Sequence, residues 1–412
     1  ICFTDNGKSV ASSAVMRPWR SLHLAFCTEA RNLPGTIHLL GPENMEKQIL
    51  LPTPGSRAYD LLALTALSGE YPASSVSRLV GSTAYAEKVV ARLKADGFLR
   101  TVYRDRLRGY RLTSAAKRRL LASDPRRFAF YLTGSTDTNR VKSEPVRRLR
   151  LHRVAQVYTS IYKAEIPLFR DDKPCPFSAA VLHPSAPTAF YGSREVKEMG
   201  IETVKIRGSR MVGVLAAPGG PCLCYNCAGN MPAFDHQSEL RAKVFFQNLA
   251  RRGGAAQLNV TGLLFADRIE TLGQVLAQSH TRDREYFLFG EGCEPFYLLT
   301  NDHYGDVQLR LLCNVPLRQS FLAVLRQGFA PPCPGRQIEH DAMTTAGQPV
   351  LFACLPDLPR LFRFCSALEL YDRQGVLVCF DFQAAALKQG CGDRISLQLI
   401  DFDKFERGFL SI

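Results

Sequence analysis

The densest cluster of potential metal ligands in the sequence is Cys222-Leu-Cys224-Tyr-Asn-Cys227. Thiolates at this spacing can bind zinc, but zinc sites usually combine two such clusters, and no second pair follows at a suitable spacing. His236 or Cys175 could complete a site only through folding. In a strand, Cys222 and Cys224 would share one face, so two buried core thiols explain the pattern at least as well. We therefore predict no metal and no other cofactor.

Carboxylates that could hold Mg²⁺ for phosphodiester cleavage are scattered through the C-terminal half. Metal-dependent nucleases need two or three carboxylates and often a lysine near the attacking water. The candidates are Glu202-Thr-Val-Lys205, Asp235, Glu239, Asp267 and Asp381-Phe-Gln383. Glu202 and Lys205 are spaced by one residue too many to share a strand face, and Gln383 stands where a lysine is expected. We predict no catalytic residue; a divergent nuclease is the alternative.

Basic side chains are concentrated in one part of the chain. The formal net charge is +14, and the segment 88–153 alone holds 19 Lys and Arg against 5 Asp and Glu. This segment therefore carries the whole excess, whereas the rest of the chain is balanced. Concentrated positive charge beside structured elements is typical of a protein that binds a polyanion. A solvated basic face without a partner is the alternative.

Helical periodicity predicts three short helices around the start of this segment, over 57–67, 72–80 and 83–96. Gly69 is expected to end the first helix, and Ser82 or Thr83 to cap the third. On the third helix the apolar stripe is Ala86, Val89, Val90 and Leu93. Tyr85, Lys88 and Arg92 lie on the opposite side. Such an order of helices is that of a helix-turn-helix, whose last helix enters the major groove of DNA.

The residues after the third helix predict a β-hairpin wing and a further helix. Strands are expected at 98–103 and 110–112, joined by a turn at 104–109 that carries Arg104, Arg106 and Arg108. Thr113 or Ser114 is expected to cap the next helix. Arginines at a wing tip suit contacts to phosphates or to the minor groove. The residues predicted to contact DNA are Tyr85, Lys88, Arg92, Arg100, Arg104, Arg106, Arg108, Arg111, Lys117, Arg118, Arg147, Arg148 and Arg150.

Two local sequences resemble a known family. Tyr110-Arg-Leu-Thr113 before a helix is a common ending of bacterial winged-helix domains. Arg147-Arg-Leu-Arg-Leu-His152, followed by 154–161, looks like the segment after the winged helix in replication-relaxation proteins. The resemblance covers about 110 residues. It implies an accessory protein of a plasmid or conjugative element that acts at a transfer or replication origin.

A polar, turn-rich segment at 133–144 predicts a linker or exposed loop, and an amphipathic helix is expected after Pro145. Arginines at the start of that helix oppose the helix dipole, which suggests that they serve phosphate contact or an acidic partner. His152 within it is interpreted as a structural hydrogen-bonding residue rather than a catalytic one.

The C-terminal half alternates between strand and helix patterns, which predicts an α/β domain with a mixed sheet. Strands are expected at 203–206, 210–216, 221–227, 258–265, 285–288, 368–371 and 376–382. Helices are expected at 237–251, 268–278, 318–327 and 383–388. A helix, three strands, a helix and a strand in succession also resemble the restriction-endonuclease-like core.

The fold class expected for the whole chain is α+β, in four regions. These are an N-terminal extension (1–54), a winged helix (55–132), a basic linker with a connecting helix (133–173) and an α/β domain (174–412). The 412 residues include 13 dispersed cysteines, an odd number that does not resemble a disulfide framework. No apolar run is long enough for a membrane span, and the first 30 residues lack a secretory apolar core. We expect a cytoplasmic protein without membrane contact.

The sequence therefore predicts a duplex-DNA-binding protein, and not an enzyme. The favoured role is that of an accessory factor of a mobile element, acting at an origin or in regulation. Besides the divergent nuclease, the alternative is an adaptor whose α/β half docks a relaxase or replication protein. A homodimer is compatible with the pattern, although no dimerisation helix is recognisable.

Overall fold

The computed structural model describes residues 50–140, 143–174, 188–198, 206, 208–217, 219–230, 234–252, 259–278, 293–333, 335 and 337–410. They belong to one unit of the chain, Ile49–Ile412, and fold as a mixed α+β protein with three sheets. The expected strand at 285–288, most of that at 203–206 and the extension 1–49 lie outside the described residues.

The three helices expected from the periodicity are present. They are α1 (Arg57–Ser68), α2 (Val76–Val80) and α3 (Thr83–Ala95). The Ser56 hydroxyl accepts a hydrogen bond from the Tyr59 amide at 3.3 Å, which caps α1. Gly69 ends α1 with a φ of 83°, the left-handed conformation that glycine adopts without strain. The second helix is shorter than predicted, because Ala73–Ser75 forms a 3₁₀ turn before it.

A three-stranded antiparallel sheet follows, and its strands are β1 (Tyr71–Pro72), β2 (Leu99–Arg104) and β3 (Leu107–Leu112), in the order β1-β3-β2. Arg104 pairs with Leu107, so only Asp105 and Arg106 form the turn. The predicted six-residue turn is therefore wrong. Both turn residues have positive φ, 52° and 61°, as tight two-residue hairpin turns require. Beyond Thr113, whose hydroxyl caps it, lies α4 (Ser114–Ser123), and then α5 (Pro125–Leu132).

The segment after α5 is not an exposed loop throughout. Thr138 and Asn139 are buried, and the Thr138 hydroxyl donates to the carbonyl oxygen of Ala66 in α1. The prediction of a solvated linker is wrong at these two residues. The segment leads to the longest described helix, α6 (Pro145–Lys163), which packs against α1 and against the second sheet.

The second sheet has five strands in sequence order, of which the first three are antiparallel and the last three parallel. Its strands are β4 (Ala189–Gly192), β5 (Gly213–Ala217), β6 (Gly220–Ala228), β7 (Thr261–Ala266) and β8 (Phe296–Thr300). The helices between them are α7 (Ser193–Lys197), α8 (His236–Arg252) and α9 (Glu270–Gln278). Residues 220–227 of the central strand β6 are all buried, since α6 and α8 both contact it.

The third sheet has four strands in the order β12-β11-β10-β9, and β10, β11 and β12 are parallel. Its strands are β9 (Ala342–Met343), β10 (Pro349–Phe352), β11 (Gly375–Phe380) and β12 (Ile395–Ile400). The accompanying helices are α10 (His303–Cys313), α11 (Val315–Gln327), α12 (Leu358–Leu370), α13 (Ala384–Cys391) and α14 (Phe402–Phe405).

The predicted strand at 368–371 is wrong, because most of it lies in α12. Leu361, Phe364 and Leu368 recur at helical spacing and are all buried, so the apolar stripe of α12 begins well before the residues that suggested a strand. Strands β1, β4, β8, β9, β10 and β12 were not predicted. Each is short, and periodicity alone does not separate a short apolar strand from a buried helix segment.

One hydrophobic core joins the N-terminal helices to the five-stranded sheet. It runs from Leu61 on α1 through Val157 and Ile161 on α6 to Phe190, Leu263 and other residues on one face of the sheet. Of the helices that the structure describes, none has the length and apolarity needed to cross a bilayer.

Candidate nucleic-acid interface

Helix α3 separates an apolar inner side from a polar outer side, as its sequence predicts. Ala86, Val89, Val90 and Leu93 are buried. Tyr85, Lys88 and Arg92 are exposed, and the only described contact of the Arg92 guanidinium with an acid is a loose one to Asp96, at 3.7 Å. This outer side therefore offers two cations and an aromatic hydroxyl to a ligand.

The β2–β3 hairpin presents a second exposed basic group, formed by Arg100, Arg104, Arg106 and Arg108. Its tip lies at the turn Asp105-Arg106, and β2 begins only three residues after α3 ends. Arg104 contacts Asp105 at 3.3 Å, but both side chains are more than half exposed. Such an ion pair contributes little free energy, so the guanidinium can exchange it for a phosphate.

Arg111 and Arg148 were predicted to contact DNA, and the structure corrects both predictions. Their side chains are almost fully buried, and both bind the Glu70 carboxylate. Arg111 donates to Glu70 Oε2 at 2.6 Å, and Arg148 donates to Glu70 Oε1 at 2.6 Å. His152 completes the group, with its Nε2 at 2.8 Å from Glu70 Oε1. The prediction that His152 has a structural hydrogen-bonding role is confirmed.

Glu70 is the acceptor around which this group is built. Burial alone would raise the pKa of Glu70, but the hydrogen bonds from His152, Arg148 and Arg111 outweigh it and lower the pKa to about 2. Arg148 also donates to the carbonyl oxygens of Val102 and Leu107, both at 3.0 Å. One buried guanidinium thus ties the start of α6 to both strands of the hairpin.

Neither Glu70 nor Gly109 was predicted to have a role. A Cβ atom built on Gly109 would lie 2.3 Å from Glu70 Oε1 and 2.7 Å from His152 Nε2, so β3 needs a glycine where it passes the carboxylate. The two available signals were the single carboxylate of Glu70 beside an apolar segment and the glycine inside the strand β3. A glycine within a strand often marks a place where another group approaches the backbone closely. Neither signal identifies its partner.

The remaining predicted DNA contacts differ in their availability. Lys117 forms an ion pair with Asp137 at 3.0 Å and is largely covered. Arg118 and Arg150 are exposed, and the exposed Arg147 contacts Glu144 at 2.9 Å. The helix α6 thus carries exposed cations at Arg147 and Arg150 beside the buried Arg148.

The cysteine cluster does not converge on one point. Cys222 and Cys224 point into the core between the sheet and α6, whereas Cys227 points into the core on the opposite face. The pleat of β6 therefore prevents the three thiols from sharing a metal ion. Within the described residues, which exclude Cys175, His, Cys, Asp and Glu side chains form no group of three that could hold one.

The carboxylates considered for a nuclease site serve other contacts where they are described. Glu239 is buried and accepts hydrogen bonds from the Ser209 and Tyr225 hydroxyls at 2.6 and 2.9 Å. Asp267 accepts from Gln156 and Asn301. Asp235 caps α8, and Asp381 begins a short turn after β11. Glu202 and Lys205 lie outside the described residues.

The described part of the chain thus brings together two exposed basic groups, on α3 and on the β2–β3 hairpin, above a buried ion-pair cluster that holds the hairpin to α6. Comparison with protein-family models, with curated proteins and with solved structures finds no match for this chain.

Proposed function

We propose that the protein binds duplex DNA through a winged helix formed by α1, α2, α3 and the β1-β3-β2 sheet. In this assignment α3 is the recognition helix and the β2–β3 hairpin is the wing. The carrying observation is the outer side of α3, where Tyr85, Lys88 and Arg92 are exposed opposite a fully apolar inner side. A helix of this kind reads base edges with its exposed side chains in the major groove.

The electrostatic pattern supports the same assignment. Arg104, Arg106 and Arg108 are exposed on a tight hairpin that projects its cations beyond the sheet. Arginines placed in this way suit the phosphate backbone or a narrow minor groove, where the potential is most negative. In this proposal the exposed residues of α3 determine which DNA sequence is preferred, and the arginines of the β2–β3 hairpin increase the affinity for any DNA.

For the wider role we propose an accessory factor of a plasmid or conjugative element, on the basis of the resemblance to replication-relaxation proteins. In the resembling segment, Arg148 and His152 are four residues apart on one side of α6 and both contact Glu70. This spacing therefore has a structural role in holding the hairpin, which explains why it would accompany a winged helix.

The five-stranded sheet we interpret as a restriction-endonuclease-like scaffold. The order α6, β4, β5, β6, α8 and β7 supports this interpretation, with three antiparallel strands followed by a parallel one, although the short helix α7 lies between β4 and β5. The described carboxylates of this region make structural contacts, so we assign the sheet a supporting rather than a hydrolytic role.

The test is fluorescence anisotropy with a labelled random duplex over a series of salt concentrations. We expect binding that weakens steeply with salt, since each phosphate contact contributes about 0.9 to the slope of log K against log salt. Arg326→Ala is the matched control, because Arg326 is an exposed arginine on α11. No binding at low salt, or equal losses from Arg326→Ala and Arg106→Ala, would contradict the proposal. Adding Mg²⁺ and running the DNA on a gel tests the nuclease alternative, which cleavage would support.

A further inference from the structure

A cleft of about 470 Å³ opens beside the hairpin-bound end of α6. One wall is the α6 turn that carries Arg150 and Arg153, and the others are α7, Ile206 with the residues 209–212, and the end of β6. Asn226 on β6 fixes the helix at this point, because its side-chain amide donates to the Arg153 carbonyl oxygen at 3.0 Å. The cleft therefore lies between two elements that are held together.

The charge of the cleft is positive. Arg150, Arg153, Lys197 and Arg210 line it, and none of the described lining residues is Asp or Glu. Arg153 Nε is buried and has no hydrogen-bond partner. Because Nε is covered, an anion in the cleft would have to meet the terminal nitrogens of the Arg153 guanidinium, and no described acid forms an ion pair with them.

The rest of the lining is mixed, with polar side chains from Ser193, Ser209 and Asn230 as well as apolar ones. Leu149, Val154, Met211 and Phe234 line the cleft together with the arginines. Leu149 is exposed over 37% of its surface, although it lies beside the buried part of the helix. A ligand that fits must combine an anionic group with a flat or apolar part.

The volume of the cleft and its position relative to the β2–β3 hairpin restrict the kind of ligand further. Arg148 is bonded to the hairpin carbonyls, and Arg150 and Arg153 follow it along α6 by about 3 and 8 Å, at 1.5 Å of rise per residue. Around the helix axis, however, Arg150 and Arg153 lie about 200° and 140° from Arg148, so they project from the side of α6 that faces away from the hairpin. A strand of nucleic acid that leaves the hairpin would therefore cross the helix, about 10–12 Å in diameter, to reach the cleft. A duplex cannot enter a cavity of this volume, whereas an unpaired nucleotide can.

We propose that this cleft binds an unpaired nucleotide of a single-stranded DNA segment adjoining the duplex. The phosphate would lie on Arg150 and Arg153, and the base against Met211 and Phe234. Binding of single strands typically combines such a cationic track with apolar or aromatic platforms for the bases. This inference rests on the proposed duplex binding, and it makes the preferred substrate a junction between duplex and single strand.

The experiment measures, by fluorescence anisotropy, the binding of the whole chain to two labelled DNA stem-loops (the DNA hairpins). One DNA hairpin has a blunt end, and the other has a single-stranded oligothymidylate extension. We expect the wild-type protein to bind the extended hairpin about tenfold more tightly, the size expected from one or two bound bases. Arg150→Glu should remove most of that preference, because Arg150 is exposed and its replacement leaves the core intact. Arg153→Gln, which keeps a donor at the same place, should reduce the preference less.

The control is Arg326→Glu on α11, which alters the net charge equally and should leave the ratio of the two affinities unchanged. Thermal melts of all variants check folding. Equal affinities of the wild-type protein for the two DNA hairpins would overturn the proposal. An equal loss of affinity for the two DNA hairpins in Arg150→Glu would also overturn it. Binding of oligothymidylate with no binding of the blunt hairpin would overturn the duplex function while supporting the cleft.

Discussion

Arg148 Nη2 lies 2.6 Å from Glu70 Oε1, and neither side chain reaches solvent. The pair joins a residue just after α1 to a residue in the first turn of α6, and through Arg148 to the carbonyls of the hairpin. One buried carboxylate therefore ties the hairpin to the helices, in addition to the pairing of β3 with β1.

Glu70→Gln should destabilise the protein strongly. The substitution leaves Arg111 and Arg148 buried without their counter-ion, and breaking a buried pair in this way costs about 3–5 kcal/mol. Chemical denaturation measured at neutral pH checks the loss. The dependence of stability on pH in the acid range gives a second test. Because the pKa of Glu70 is lowered, its contribution to the free energy of unfolding is lost as the pH falls from 4.5 towards about 2. The Glu70→Gln variant should not show this loss. A variant as stable as the wild type would show that the cluster does not hold the hairpin.

The neighbours Arg147 and Arg148 should respond in opposite ways to the same substitution. Arg147→Gln removes an exposed cation, so the slope of DNA affinity against salt should fall by up to about one unit with no change in stability. Arg148→Gln removes a buried donor, so stability should fall by about 2 kcal/mol or more. Denaturation and salt series on the two proteins decide the matter. A stable Arg148→Gln protein with a reduced salt slope would restore Arg148 as a DNA contact.

Gly109→Ala should be poorly tolerated although alanine is small. The added methyl group would lie within 2.3 Å of Glu70 Oε1, so either β3 or the carboxylate must move. We expect a loss of about 1–3 kcal/mol, as for other forced overpacking, together with weaker DNA binding because the hairpin shifts. Gly97→Ala is not a suitable control, because the positive φ of Gly97 would itself destabilise the variant. The control is Ala91→Gly on the exposed side of α3, which measures the loss of stability from an exchange of alanine and glycine without a steric clash.

Burial of the Asp306 carboxyl group, which lies beside Arg78, should make stability fall as the pH rises. Burial raises the pKa of Asp306 to about 6, in spite of the Arg78 guanidinium, which lowers it. The folded state therefore holds a proton that the unfolded state releases near pH 3.8, so stability is greatest below that pH and declines towards pH 6. Asp306→Asn should lose this decline, by on the order of 2–3 kcal/mol. The free energy of unfolding of both proteins is measured between pH 4 and 7. The same change with pH in the wild type and in Asp306→Asn would refute this prediction.

The two basic groups should affect DNA binding differently. Lys88→Ala and Arg92→Ala should alter the sequences enriched from a random duplex pool, at about 1–3 kcal/mol per lost base contact. Arg104→Ala, Arg106→Ala and Arg108→Ala should weaken binding to all sequences alike and lower the salt slope. The same enriched sequences from Arg92→Ala as from the wild type would exclude α3 as the reader.

The N-terminal half was the more predictable from sequence because its signals are local. Ser56, Ser82 and Thr113 cap their helices, and Gly69 and Gly97 follow the ends of α1 and α3 close to the expected places. The exposed residues of α3 follow directly from its period. These features depend on contacts within a few residues, which a single sequence contains.

What was missed depends on partners far apart in the chain. Arg111 and Arg148 carry the same charge as the exposed arginines around them, and only Glu70, 41 and 78 residues away, distinguishes them. The cleft residues likewise come from α6, α7 and β6. Of the third sheet only β11 was predicted, because its parallel strands are connected by helices and not by tight turns that a local pattern would reveal.

The continuous core between α1, α6 and the five-stranded sheet limits how this protein can be recombined. A DNA-binding module with its own core can be fused to other proteins intact. In this chain, a cut after α6 would leave Val157 and Ile161 without the sheet residues that cover them, and such an apolar face promotes aggregation. Under the proposed function, new target sequences would therefore arise by substitution on α3 and the hairpin, and not by exchange of whole modules.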